Sequence, residues 1–545
     1  MTGMNFQTRS RVSMNRNTWK KAVMPTIVVT LIFFLNYWAF GMENTIIGPF
    51  LTLSFLKFQG MEDYRGCMLR SLGIYAAMAL LAQAALLHPA LCLAVNAGAL
   101  FWIGYFLIDE YNPLNYFPAG MALIFFQNSP APGWLLCRRL LALAVSFLLV
   151  FLFLQGLRRW GRKKEEPALR SLTKQGLDTG RALVVSFRQE NLQEAKELLG
   201  SLQETCREVS LKLYEANRAS VKKKLEENRF CIYLAYFQMI GALSEAVLSG
   251  EAGSGKVQLD QMEALLLELE TRYEEEELSG TAAEEILPRI VKDRLRFREN
   301  PLDIRSFRLR FALRQMLVMT PCMLFGYFSP FGNRYWLAIS VFFMMIPVYE
   351  NTLGRILQRI RGSLLGVAVC LLAFAVFQGF WARLLLMTIA NFFIYCSGNY
   401  TAMVTCITCS ALALNFGTES YIFLLGQRLF YTFAGAGIAL RANVWVFRIR
   451  ASRQCQYVME LLRGLEERIQ KTARQQGMEG QKEMNQMMVK SYLLASRMKE
   501  FNDLSSEADR QPEVDRFLKE HMQSVSGACL QVFFAPHGMK GMSKS

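Results

Sequence analysis

Histidine is nearly absent from the 545-residue chain: His88, His521 and His537 are the whole complement. Histidine-based metal catalysis therefore has almost no ligands to use. Charge is also scarce, at 19% of residues against 52% hydrophobic. That balance excludes disorder and is unusual for a large soluble enzyme. The 12 cysteines build no disulfide framework. Cys67, Cys92, Cys137, Cys322, Cys370, Cys396, Cys406 and Cys409 lie in or beside apolar runs, and Cys206, Cys231, Cys455 and Cys529 lie in charged helical stretches. Cys406-x-x-Cys409 has the spacing of half a zinc site, but no second pair or histidine is near it. With no catalytic constellation in the chain, an enzyme has the least support, and no cofactor or metal is implied.

What is present is apolar sequence in runs of about the length that crosses a bilayer, 40 Phe among it. At roughly 150 residues per domain the length allows three or four domains. Lys and Arg exceed Asp and Glu by 16. Because the basic residues flank the apolar runs, the excess reads as membrane orientation rather than nucleic-acid binding. Arg9, Arg11, Arg16, Lys20 and Lys21 precede the uncharged stretch Ala22–Gly41. No small-residue cleavage site follows it, and Ile46–Leu56 is apolar again, so the stretch reads as a first span rather than a signal peptide.

Further runs at 67–87, 90–108, 115–127 and 135–157 complete six spans, closed by Arg158, Arg159, Arg162, Lys163 and Lys164. The second and fifth are short. A second set follows Arg305, Arg308, Arg310 and Arg314, at 313–329, 335–349, 362–380, 384–397, 401–415 and 421–440, and Arg441, Arg448, Arg450 and Arg453 close it. Basic residues at both ends of each set place both termini in the cytoplasm.

Between and after the sets the chain turns polar and helical. Leu192, Ala195, Leu199, Leu202, Cys206, Val209, Leu213 and Ala216 recur at alternating steps of three and four. A second, acidic helix is predicted near Leu259–Leu278. In the tail Cys455, Val458, Leu462, Leu465 and Ile469 repeat the helical spacing, and Pro512 opens a last helix over Glu513–Phe534. Gly250-Glu-Ala-Gly-Ser-Gly255-Lys256 fits a phosphate-binding loop on paper. Val257 replaces the residue that would hold magnesium, and helix rather than strand precedes it, so nucleotide binding is rejected.

The two apolar sets match each other. Thr30 pairs with Thr320, Asn44 with Asn333, Arg70 with Arg361 and Arg139 with Arg428, at offsets of 289 to 291 residues. An even number of spans per half makes such repeats parallel. The expected fold is all-α: a polytopic membrane protein of two parallel six-span repeats, each followed by an α-helical cytoplasmic domain. The expected divisions are a basic N-terminus (1–21), a first membrane half (22–157), a helical domain (158–304), a second membrane half (305–444) and a helical tail domain (445–545).

Over 305–450 the chain carries Phe311-Ala-Leu-Arg314, Arg334-Tyr335-Trp336 and Arg355–Gly366, in which Arg359 and Arg361-Gly362 follow Arg355. With the repeat, these motifs resemble the fusaric-acid-resistance family of aromatic acid exporters. The resemblance implies a multi-pass protein of the cytoplasmic (inner) membrane that exports weak organic acids on the proton gradient, and, in double-membrane bacteria, a periplasmic adaptor. Plant anion channels resemble the same family, so a channel is a second reading. A third is a non-transporting scaffold whose helical domains bind a partner. The N-terminal half departs from the motifs: Ser71 and Tyr75 stand where the second half has Gly362 and Gly366, and no Tyr-Trp follows Asn44.

The candidate site residues are mostly arginines. Arg428 lies deep in the last apolar run, where a guanidinium costs several kcal/mol unless it meets water, a partner or an anion. Arg428 and its repeat partner Arg139 could form two forks for a substrate carboxylate. The competing readings are outward snorkelling and pairing of Arg428 with Glu419. Arg355, Arg359 and Arg361 could line an anion-collecting vestibule or simply anchor the chain. Tyr335 and Trp336 could stack on an aromatic ring or sit at the membrane interface. Asp109 and Glu110 are the candidate proton carriers, against the reading of ordinary loop acids. Gly362 and Gly366 are expected to serve helix packing. The implied partners are a small organic anion and the lipid bilayer, with no nucleic acid. A homo-oligomer is compatible with the sequence, which does not set the copy number.

Overall fold

The computed structural model describes every residue except 1–15, 60–63, 109–113, 161–167, 220–223, 250–254, 280–302, 304, 331–332, 348–349, 377–378, 415–420, 475–477, 505–510 and 535–545. The described residues are helical or in short connections, with no strand among them.

In chain order the α-helices are α1 (Arg16–Phe40), α2 (Ile47–Gln59), α3 (Arg65–Ala85), α4 (Pro89–Trp102), α5 (Phe117–Asn128), α6 (Trp134–Trp160), α7 (Ala168–Arg188), α8 (Leu192–Ala219), α9 (Lys224–Ser249) and α10 (Gly255–Ser279). They continue with α11 (Phe307–Phe328), α12 (Trp336–Met344), α13 (Glu350–Val376), α14 (Phe380–Cys396), α15 (Tyr400–Ala413), α16 (Tyr421–Trp445), α17 (Ala451–Arg474), α18 (Met478–Leu504) and α19 (Gln511–Phe534). Local chemistry sets several boundaries. α4 starts where Pro89, which has no N–H to leave unpaired, follows His88, whose Nδ1 accepts from the Ala90 amide at 3.2 Å. Asn399 caps α15 by accepting from the Thr401 amide at 3.0 Å. α4 runs on into a π-turn over Ile103–Leu107.

Among the described residues, seven helices are long and apolar enough to cross a membrane: α1, α3, α4 with its π-turn, α6, α11, α13 and α16. The apolar α14 and α15 are shorter, and α2, α5 and α12 run for only 13, 12 and 9 residues. One expected boundary moves. α13 begins at Glu350, twelve residues before the span expected from 362, because Arg355, Arg359 and Arg361 break the apolar run without breaking the helix. Arginine is a good helix former, so its charge interrupts hydropathy and not hydrogen bonding.

The chain divides into two compact units. Met1–Gly161 and Leu302–Ala451 form the first, and Arg162–Pro301 with Ser452–Ser545 form the second. In the first unit α1 packs on α14 and α11 packs on α4, so the N-terminal and C-terminal apolar sets interlock. Trp19 lies 5.4 Å from Phe392, and Phe33 joins Leu384, Met387 and Ala413 in one cluster. Gly362 and Gly366 are the contact points of α13 on α15: a Cβ on Gly362 would lie 2.6 Å from the Thr401 carbonyl oxygen, and one on Gly366 2.8 Å from that of Thr405.

The second unit is a helical bundle built on the stripes read from the sequence. Ala195, Leu199, Leu202, Cys206 and Val209 of α8 are buried, while Leu192, at the helix start, is exposed. On α17 Cys455, Val458, Leu462, Leu465 and Ile469 are all buried. α8 packs on α18 and α9 on α19, so residues more than 200 positions apart share one core. Cys206 and Tyr492 are hydrogen-bonded inside it, and burial pushes the thiol up to about 12. His521 joins three helices: its Nε2 lies 2.7 Å from Ser491 Oγ and its Nδ1 3.1 Å from Glu466 Oε2. The loop 250–254 lies outside the described residues, and α9, helical to Ser249, precedes it where a phosphate-binding loop needs a strand.

Candidate functional site

The first unit concentrates its buried charge where α12 ends. Met345, Ile346 and Pro347 are non-helical, so the last carbonyls of α12 have no intrahelical partner. Side chains from three other elements supply the hydrogen bonds. Arg314 Nη2 of α11 donates to the carbonyls of Ile346 and Pro347, both at 2.7 Å. Arg355 Nε of α13 donates to the Phe343 carbonyl at 3.2 Å. The Tyr116 hydroxyl, just before α5, donates to the Met345 carbonyl at 3.2 Å. Non-helical backbone in an apolar bundle is tolerated only where it is buried in protein or lines a water-filled cavity, and the guanidiniums meet that requirement here.

Tyr116 reaches this point because α5 packs on α12. Its ring meets Phe311 at 5.0 Å and Phe342 at 5.7 Å, and Phe117 meets Phe343 edge-on at 4.7 Å. Gly120 makes room, since a Cβ there would sit 2.2 Å from the Phe342 ring. The break in α12 therefore lies on the seam between the two apolar sets.

Arg359 and Arg428 extend the cluster. Arg359 is 1% exposed, lies over the Phe343 ring at 4.5 Å and donates to the Tyr400 hydroxyl at 3.4 Å. Arg355 stacks over the ring of the same Tyr400 at 4.3 Å. Arg428, 2% exposed, lies 5.2 Å from the centre of the Trp336 ring, and its guanidinium makes no hydrogen bond to a described residue. Arg359 is close enough to repel it. Among the described residues no carboxylate contacts Arg314, Arg359 or Arg428. The C-terminal end of α12 contributes about half a negative charge to Arg314 and Arg355. It contributes nothing to Arg428, which stacks on the first residue of α12, at the positive end of that dipole. Arg314 Nε and Nη1, Arg359 Nε, Arg428 Nε and both polar atoms of Gln315 are buried without a partner among the described residues.

Arg139 is placed differently. Its Nε donates to Asn44 Oδ1 at 3.2 Å, its Nη1 and Nη2 to the carbonyls of Phe126 and Glu43 at 3.4 Å each, and it stacks on Phe126 at 5.1 Å. Asn333, paired with Asn44 by the sequence offset, donates to Gln427 Oε1 at 3.0 Å.

Residues 321–442 match the family of fusaric acid resistance protein-like domains. No curated protein and no solved structure matches the chain. The fusaric-acid-resistance-like segment contains Tyr335, Trp336, Arg355, Arg359, Tyr400 and Arg428, whereas Tyr116, Arg139 and Arg314 lie outside it. Together with the seven apolar helices it makes the chain a multi-pass membrane protein.

Of the residues picked from the sequence, Arg355, Arg428 and Trp336 come into this cluster. Tyr335 does not meet Arg428: its ring packs on Gly326, where a Cβ would lie 2.9 Å away, and Arg334 lies over it. Arg361 is exposed on the outer face of α13, because it stands two residues from Arg359 and so points away from it. Asp109, Glu110 and Glu419 lie outside the described residues. Sequence reasoning named Arg314 and Arg359 only as flanking or vestibule charges, and it missed Tyr116 and Tyr400. The four-residue step from Arg355 to Arg359, which puts both on one helix face, was the available signal. Among the described residues no cluster suited to a metal ion occurs, Cys406 and Cys409 included.

Proposed function

We propose that the protein is a transporter that moves aromatic or other weak organic acids out across the cytoplasmic membrane. The two apolar sets act as parallel six-span repeats, and the helical segments that follow them lie in the cytoplasm. Several observations support the repeat. Helices start at residues 16, 47, 65, 89, 117 and 134 in one set and at 307, 336, 350, 380, 400 and 421 in the other. The first helix of each set packs on the fourth of the other. Arg70 and Arg361 are both exposed, and Asn44 and Asn333 both stand just before the short second helix.

One observation carries the functional reading: the buried guanidiniums of Arg314, Arg359 and Arg428 have no carboxylate against them among the described residues. An anion supplies the missing charge and the missing acceptors for their buried N–H groups, and Trp336 and Phe343 offer faces to an aromatic ring. Arg428 is the substrate fork, Arg314, Arg355 and Arg359 shape the field around it, and Arg139 holds the first half together. Coupling to the proton gradient makes export directional, because each anion that leaves is exchanged for a proton that enters. The lack of a described carboxylate at the cluster favours a second reading, an uncoupled anion channel. The test is flux of an aromatic carboxylate from vesicles containing purified protein. Wild type is expected to carry it, and Arg428→Ala to lose it with the protein still folded. Equal flux in the two overturns the site. Flux that stops when the pH gradient is collapsed supports the exporter, and flux that persists supports the channel.

A further inference from the structure

A groove of about 460 Å³ runs between α11 and α16 on the surface of the first unit. Val318, Pro321, Cys322 and Phe325 of α11 and Ile438 and Ala442 of α16 line it. The proline explains part of its shape: lacking an N–H, it cannot bond one turn back, and α11 carries it in mid-helix. One charged side chain enters the lining, Arg441, with Trp445 one turn beyond it. Arg441 is exposed and makes no hydrogen bond or ion pair with a described residue, while Trp445 is 79% exposed. At the same end Arg310 donates to the Arg448 carbonyl at 3.4 Å, and the exposed Arg450 follows, so the groove's mouth is basic. No acidic residue lines it.

We infer that this groove binds an anionic phospholipid of the surrounding bilayer. The acyl chain fills the trough over Pro321, Cys322 and Ala442, the headgroup phosphate meets Arg441, and Trp445 sits at headgroup level, where indole rings are favoured. The charge complementarity decides the occupant. A lipid tail gains little by leaving other tails for an equally apolar groove, so selection rests on the headgroup and the cation. The surface beside the groove is apolar and exposed at Leu317 and Phe325, which lets a lipid enter sideways from the membrane.

The experiment is native mass spectrometry of the full chain released from nanodiscs of equimolar phosphatidylglycerol and phosphatidylcholine. Wild type is expected to retain one phosphatidylglycerol per chain with about fivefold preference, the factor set by one arginine near an anionic headgroup. Arg441→Gln, on an exposed side chain, is expected to abolish the preference while leaving thermal unfolding unchanged. Ala442→Phe is expected to expel the retained lipid by filling the trough. Equal retention of both lipids by wild type, or a preference unchanged in both variants, means a non-specific lipid annulus and overturns the proposal. So does a lipid-free dimer that cross-links through position 445.

Discussion

Arg139 and Arg428 show how one residue type takes two roles through its neighbours. Arg139 has every guanidinium nitrogen engaged, whereas Arg428 has an aromatic face and no hydrogen bond to a described residue. Arg139→Ala should therefore act on stability: it strips the Asn44 side chain and two carbonyls of their donor, a loss of about 1–3 kcal/mol that thermal unfolding would record. Arg428→Lys should leave the fold intact and still lower flux, since an ammonium keeps the charge and loses the two-pronged fork. His521 makes a second residue-scale prediction. Burial lowers its folded pKa, with Glu466 working against the shift. The unfolded chain thus takes up a proton first as the pH falls, so the stability His521 contributes is complete above its ordinary value near 6.5 and is lost below it. Unfolding midpoints measured from pH 8 to pH 5 should fall in wild type by more than in His521→Gln. The depth of Arg428 in an apolar run was legible in the sequence. That Asn333 donates to Gln427 was not, because that contact depends on a backbone turn at Asn333 with φ 52°.

At the scale of elements, the helices follow local rules closely. The apolar runs became helices, the heptad-like stripes became buried faces, and the pair Gly362 and Gly366 became a close helix crossing. Gly362→Val should force α13 away from the α15 backbone. The expected cost is about 1–3 kcal/mol of overpacking, with a matching loss of flux because Arg355, Arg359 and Tyr400 ride on those two helices. Unfolding and vesicle flux on the same preparation check both. Hydropathy misplaced the start of α13, since it counts charge, and helix formation depends on backbone hydrogen bonds that arginine does not disturb. The nine-residue length of α12 was legible only in part: Pro347 denies the Phe343 carbonyl its helical donor and disfavours helix at Ile346, but that Arg314, Arg355 and Tyr116 take up the freed carbonyls was not visible in the sequence.

The whole molecule adds a constraint on topology. Residues 162–301 and 452–545 share one compact unit, and the proposed parallel arrangement puts both on the cytoplasmic side. Single cysteines at the exposed positions Glu197 and Glu467, in a chain with Cys137 replaced by serine, should be labelled by an impermeant maleimide from the same side. Labelling from opposite sides would remove the parallel arrangement and with it the proposed seam.

Composition, run length and flanking charge were enough to establish a helical, multi-pass chain with polar helical segments, because burial in lipid and helix periodicity act on neighbours in sequence. The tertiary structure alone decided which arginines meet. Tyr116 and Met345 lie 229 positions apart, and only the packing of α5 on α12 brings a hydroxyl, a broken helix end and the buried guanidiniums to one place.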